Sequence, residues 1–263
     1  MKRNKLGPVL ILLPPSEGKA VEGAGPALDL GRLSFPALTS AREKALDALA
    51  TLVHGPEADA LAVLGLTAGQ AGELERDRVL RTAPTLPASR LYTGVLYDNL
   101  GLPSLSTAAR RRAQRSVIVF SGLWGALRLS DRIPPYRLSM GVRLPPLGGL
   151  AAHWRQSLTE VLPAEATGVI VDLRSSTYAQ AWQPGSRAVT VRVLREADGV
   201  RTVVSHMAKA TRGAVARSLL ESGENPRTPK RLAALLADLG HVAELGPAPR
   251  DGRPWTVDIV VRP

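Results

Sequence analysis

Three short apolar runs constrain this chain most. They are Val9–Leu13, closed by Pro14; Ser116–Ser121, with a loop from Gly122; and Gly168–Leu173. Each has the length of a buried strand and falls far short of the ~20 apolar residues a membrane span needs. Helical patterns lie between them. Thr39-Ser40 offers an N-cap, with Glu43 placed for a capping box, and Ala41, Ala45, Leu46, Leu49 and Leu52 follow at helical spacing until His54-Gly55-Pro56. Further helices are expected over Glu57–Leu64 and Ala68–Leu80, joined at Leu64-Gly65-Leu66-Thr67 with Thr67 as cap. Others are expected over Ser104–Arg115, Ala151–Leu162, about Met207–Glu221 and Pro229–Leu239. Ala188–Leu194 and Val200–Ser205 flank Ala197-Asp198-Gly199, a hairpin turn, and Trp255–Val261 reads as a closing strand. The expectation is an α/β (α+β) chain. One domain spans residues 1–263, with a central mixed sheet flanked by helices and a helical subregion at 39–80.

Composition narrows the chemistry. None of the 263 residues is cysteine, which removes disulfides, thiolate nucleophiles and thiolate-bound metals. His54, His153, His206 and His241 stand far apart in no metal-ligand spacing, and no GxGxxG follows a strand, so neither a metal nor a cofactor is expected. The basic start, Met1 to Lys5, resembles that of a signal peptide, but the apolar stretch behind it is too short; a soluble, cytoplasmic monomer is expected.

The net charge of +11 is unevenly spread. Residues 1–100 balance at 11 basic and 11 acidic side chains, whereas residues 101–150 hold eight arginines and one acid, Asp131. Such a window suits phosphates or another polyanion. High-GC codon bias accounts for arginine over lysine, but not for the missing acids.

Five segments carry polar groups that could do chemistry. Pro14-Pro15-Ser16-Glu17-Gly18-Lys19 leaves the first strand as a Gly-Lys loop that could hold an anion, without the full P-loop pattern; a plain surface turn is its bland alternative. Ser121 to Arg143 combines Arg128, Arg132, Arg137 and Arg143 with Trp124, Tyr136 and Asp131. Arginine forks match phosphate oxygens, and Asp131 is expected to pair with one of these arginines. Ser121 lacks the first glycine of a nucleophile elbow, since Val119 stands there. Asp172 to Tyr178 places Arg174 and a capping Ser175 or Ser176 at a helix start. In Ser205 to Gly213, Lys209 and Arg212 share a helix face, and His206 is a conceivable acid or base. Gly65, Thr67 and Gly69 form a hydrophobic-Gly-hydrophobic turn like that of a helix-hairpin-helix, or an ordinary helix–helix turn.

Several blocks occur together in order: strand-Pro-x-x-x-Lys19, Tyr92-Thr93-Gly94, Ser121-Gly-Leu-Trp-Gly-Ala-Leu-Arg128, Pro135-Tyr-Arg-Leu-Ser-Met-Gly141, Leu173-Arg-Ser-Ser-Thr-Tyr178 and Ala208-Lys-Ala-Thr-Arg-Gly213. From about Val9 to Glu221 the chain resembles the YaaA family of bacterial peroxide-stress-resistance proteins. The resemblance carries over Lys19, Tyr92, Gly94, Ser121, Arg128, Tyr136, Arg137, Met140, Gly141, Tyr178, Lys209, Arg212 and Gly213. It implies a protein that limits oxidative damage by lowering free intracellular iron. It also implies a helix-hairpin-helix-like element and a basic cleft for double-stranded DNA. Some distant relatives accompany enzymes that modify 7-deazaguanine bases in DNA. Two stretches depart from the family pattern: Pro-Ser-Glu-Gly-Lys19 is longer than the usual Pro-Ala-Lys, and Arg174-Ser175-Ser176 replaces a more acidic stretch.

Two functions are therefore expected to compete. In the first, Lys19, Arg128, Arg137, Arg143, Arg174, Lys209 and Arg212 line a cleft for DNA phosphates or another phosphate-bearing ligand. In the second, the same cleft is an enzyme site for a nucleotide-like or other anionic small substrate. Lys19, Asp131, Tyr136 and Tyr178 are then the candidate catalytic groups, with Glu17 as a further acid or base. A third, structural reading joins Arg128, Asp131 and Arg137 in an internal ion-pair network. A closed pocket beside Lys19 and Arg137 favours the enzyme, and a long open groove favours DNA.

Overall fold

The computed structural model describes residues 7–204, 206–250 and 252–262. Its centre is a mostly parallel sheet built on the three apolar runs. β1 (Leu10–Leu13) lies between β2 (Val117–Ser121) and β4 (Ile170–Asp172), parallel to both. All three are buried along their length, as strands covered on both faces must be, which is why they lack alternating polar positions. β3 (Gly125–Leu127) folds back antiparallel on β2. On the other side β4 is followed by β5 (Ala188–Ala197) and β8 (Trp255–Val261), both parallel to their neighbours, and then by antiparallel β7 (Ala243–Leu245). β6 (Val200–Val203) pairs with the far half of β5 through the Asp198-Gly199 turn, whose residues both take positive φ.

Helices cover the sheet: α1 (Thr39–Val53), α2 (Glu57–Leu64), α3 (Gly72–Arg78), α4 (Val95–Leu100), α5 (Thr107–Ser116), α6 (Leu150–Val161), α7 (His206–Ser222) and α8 (Pro229–Asp238). α7 packs closely on α4 because Gly213 has no side chain; a Cβ there would sit 2.2 Å from the Leu96 carbonyl oxygen. Several expected boundaries move. α1 begins at Thr39 without a side-chain cap, and Glu43 is drawn instead to Arg81, 2.9 Å away. The helix expected over Ala68–Leu80 divides into a 3-10 turn (Ala68–Gln70) and α3, and α5 starts at Thr107, capped by the Ser106 hydroxyl. β7 had no apolar run to announce it, since it is three residues long with Glu244 at its middle.

The chain runs from β1 to β2 on one side and reaches β4 on the other, so the connections part at β1. In open α/β sheets, ligands settle at such a point, beyond the carboxyl ends of the strands.

Candidate functional site

A pocket of about 360 Å³ opens at that point. Its walls come from Pro14–Lys19 after β1, Arg137–Ser139 after the β3 turn, Ser175 and Tyr178 after β4, the start of α4, and Lys209 and Arg212 on α7. The Lys19 loop is strapped in place. Ala20 N–H donates to Leu91 O (2.8 Å), Thr93 N–H donates to Gly18 O (3.2 Å), and the Tyr97 hydroxyl donates to Pro14 O (2.7 Å).

Behind the wall lies a chain of buried hydroxyls. Tyr136 OH is 2.9 Å from Tyr92 OH and 2.7 Å from Ser121 Oγ, which also accepts the Leu123 and Trp124 amides. Burial holds the Tyr92 and Tyr136 phenols well above their usual range, so they stay protonated. Ser121 is thus a turn-closing hydroxyl with its lone pairs occupied. The Lys19 ammonium lies 4.5 Å from the Tyr136 ring centre and 5.9 Å from that of Tyr92, and donates to Ser16 O at 2.8 Å. Dehydration, helped by the Arg137 charge, brings its pKa down to about 8.

The residue that sequence reasoning missed is Asp77, on α3. It is 1% exposed; Oδ1 accepts the Arg137 backbone N–H at 2.8 Å and Oδ2 has no partner among the described residues. Burial pushes its carboxyl up to about 8, against the opposing pull of that hydrogen bond and of Lys19. A carboxylate three residues after Leu74, on the buried stripe of a helix, was its visible trace in the sequence.

The expected cations divide into two groups. Lys19, Arg137, Lys209 and Arg212 meet at the pocket, with Tyr178 beside them. Arg212 is half-buried, and its Nε is sealed from solvent without a partner among the described residues. Among the described residues Arg137 makes one ion pair, with the exposed Glu17 carboxylate at 3.7 Å.

Arg128, Arg143 and Arg174 do not line the pocket. Arg128 reaches Glu165 and the Arg115 carbonyl. Arg143 is exposed on a two-residue strand paired with Gly148–Gly149. Arg174 is turned inward: it grips both Asp172 oxygens (2.8 and 2.7 Å) and the Trp182 carbonyl, and its guanidinium packs 4.1 Å from the Phe120 ring centre. Asp131 is buried elsewhere, and the arginine pairing expected of it is replaced by backbone and hydroxyl bonds. It accepts from Ser34 N–H, Ser34 Oγ and Arg128 N–H, so Arg128, Asp131 and Arg137 form no ion-pair network.

Gly65 takes φ +65° between α2 and the next turn, where a left-handed residue is needed. Thr67 N–H donates to Gln70 Oε1, and Gly65, Thr67 and Gly69 are all exposed. Ser205 and the His206 side chain fall outside the described residues. Among the described residues no three His, Cys, Asp or Glu side chains gather as a metal set, and no helix is long and apolar enough to cross a membrane.

Known proteins match along nearly the whole chain. A UPF0246 protein of Streptomyces coelicolor is 52% identical over 258 residues, covering 96% of this chain and 98% of its own length. One of Corynebacterium efficiens is 42% identical over 259 residues, covering 96% and 100%. A third, from Cereibacter sphaeroides, is 38% identical over 146 residues, about half of each chain. The model of the family described as "Peroxide stress protein YaaA" matches residues 9–240, beyond the Glu221 limit of the motif resemblance. The chain belongs to the YaaA family of peroxide stress proteins.

Proposed function

We propose that the protein serves peroxide resistance by binding a small, nucleotide-like anion in the pocket beside Lys19. The observation that carries this reading is the meeting of Lys19, Arg137, Lys209 and Arg212 on one pocket wall, where among the described residues the exposed Glu17 carboxylate, 3.7 Å from Arg137, is their one ion-pair partner. Guanidinium and ammonium groups that no carboxylate holds are suited to the oxygens of an anion. The pocket volume falls in the small-ligand range of roughly 300–1,000 Å³. Calorimetric titration with pyrophosphate and with a nucleoside monophosphate tests the reading. Saturable one-site binding supports it, and the absence of heat at low salt overturns it.

DNA binding is the second reading, favoured by a separate observation. Arg111, Arg115 and Arg143 are exposed and make no ion pair among the described residues. A duplex neutralised by such side chains would lose affinity with log[salt] at a slope of about −0.9 per phosphate. Anisotropy with a labelled duplex across a salt series measures that slope. Competition by pyrophosphate would put duplex and small anion in one site, and no competition would separate them. Lowering of free iron belongs to the same proposal; it is checked by measuring chelatable iron in peroxide-challenged cells with and without the protein.

A further inference from the structure

Resting on the anion reading, a further inference concerns what Lys19 does once a ligand is held. The arginines of the pocket are permanent cations, whereas a lysine that sheds its proton becomes a nucleophile. Lys19 has the surroundings for that change. Its stem is pinned by the backbone bridge to Tyr92, and among the described residues its Nζ has one hydrogen-bond acceptor, the neutral Ser16 carbonyl. Among the described residues it makes no ion pair. The charged and titratable groups that act on it are Arg137, Asp77, Glu73 and Glu17. Arg137 opposes its charge. Asp77 is itself pushed toward the neutral acid by burial, Glu73 is engaged by Arg76 at 2.9 Å, and Glu17 is turned to solvent and Arg137. The amine therefore sits in a pocket wall, preorganised, beside two guanidiniums suited to an anionic tail.

We propose that Lys19 forms an imine with the carbonyl group of an anionic aldehyde or ketone whose carboxylate or phosphate is held by Arg137 and Arg212. The unprotonated Nζ adds to the carbonyl carbon, making the C–N bond while the C=O electron pair moves to oxygen. Both amine hydrogens then leave with that oxygen as water as the C=N bond forms, so no oxidant or reductant is consumed.

Reductive trapping with sodium cyanoborohydride tests the inference on the intact chain. Glyoxylate supplies a carboxylate tail, glyceraldehyde 3-phosphate a phosphate tail, and propanal no charge. The expected result is a reduced adduct mapped by peptide mass to Lys19, at least ~10-fold above the other lysines and above propanal, because only a free amine adds to a carbonyl. The adduct should be suppressed by pyrophosphate and absent from Lys19→Arg. The more productive of the two anionic probes identifies the tail. Labelling spread over the lysines in proportion to exposure overturns the inference. Pyrophosphate binding in the same preparation with no Lys19 adduct overturns the imine and leaves the anion pocket standing. Failure of both removes the pocket reading itself.

Discussion

The pocket at the carboxyl edge of the sheet and the α1–α3 region beside it divide the charge in opposite ways. Residues 39–80 hold seven acidic and four basic side chains. Three of those four cations are committed within the protein: Arg76 pairs with Glu73 and Arg78 with Glu75, while Arg42 is fully buried on the Trp124, Ser34 and Ala126 carbonyls. At the pocket, Arg137, Lys209 and Arg212 keep donors for something else, and Lys19 is held close to losing its proton. A count of basic residues does not locate a ligand. What matters is which cations the fold spends in its interior and which it sets in a pocket wall. By that measure Arg174 belongs with Arg42, and Arg212 with Lys19.

Breaking the buried pair should have the largest effect. Arg174→Ala leaves Asp172 buried and uncompensated, which costs about 3–5 kcal/mol of stability. A chemical-denaturation midpoint checks this, and an unchanged midpoint would mean that Arg174 is not committed to the interior.

The next prediction is a pH profile of stability. In the native state Asp77 keeps a proton that the unfolded chain has lost, so its contribution to stability falls as pH rises from ~4 to about 8. Lys19 does the reverse: the unfolded chain holds a proton that the native state has released, so its contribution rises from about 8 to ~10.4. Together these two groups give a minimum near pH 8. Asp77→Asn should flatten the acid arm and Lys19→Met the alkaline arm, read from melts across pH.

Arg212→Ala should weaken pyrophosphate by roughly 10- to 150-fold, the worth of about 1.5–3 kcal/mol for a charge-assisted hydrogen bond. It should cost little stability, in contrast with Arg174→Ala. The smallest effect is expected at the α2–α3 turn. Thr67→Ala should cost about 1 kcal/mol or less and leave pyrophosphate affinity unchanged. A loss of affinity there would erase the distinction between the two regions.

The sequence made the sheet centre legible because β1, β2 and β4 are short, apolar and bounded by breakers. The β5–β6 turn was legible because Asp-Gly accepts positive φ. Lys19, Arg137, Lys209 and Arg212 could be picked out because each stands in the loop or helix that follows a strand. Asp77 could not be assigned to the site, since its partner is a backbone amide 60 residues away, a contact that only the folded chain creates. The inward turn of Arg174 left a trace in Asp172, two residues before it at the end of a buried strand. Arg42 left a similar one: it lies beside Ala41 on the buried stripe of α1 and is spent on carbonyls.

The central claim is that the fold leaves Arg212 and its neighbours ready for an anion. It is tested most directly by thermal melts of the wild-type and Arg212→Ala proteins over a pyrophosphate series. A ligand bound only by the native state raises the melting temperature as its concentration passes Kd. A rising midpoint is expected for the wild type and a nearly flat one for Arg212→Ala. Equal rises in the two proteins, or none in either, would contradict it.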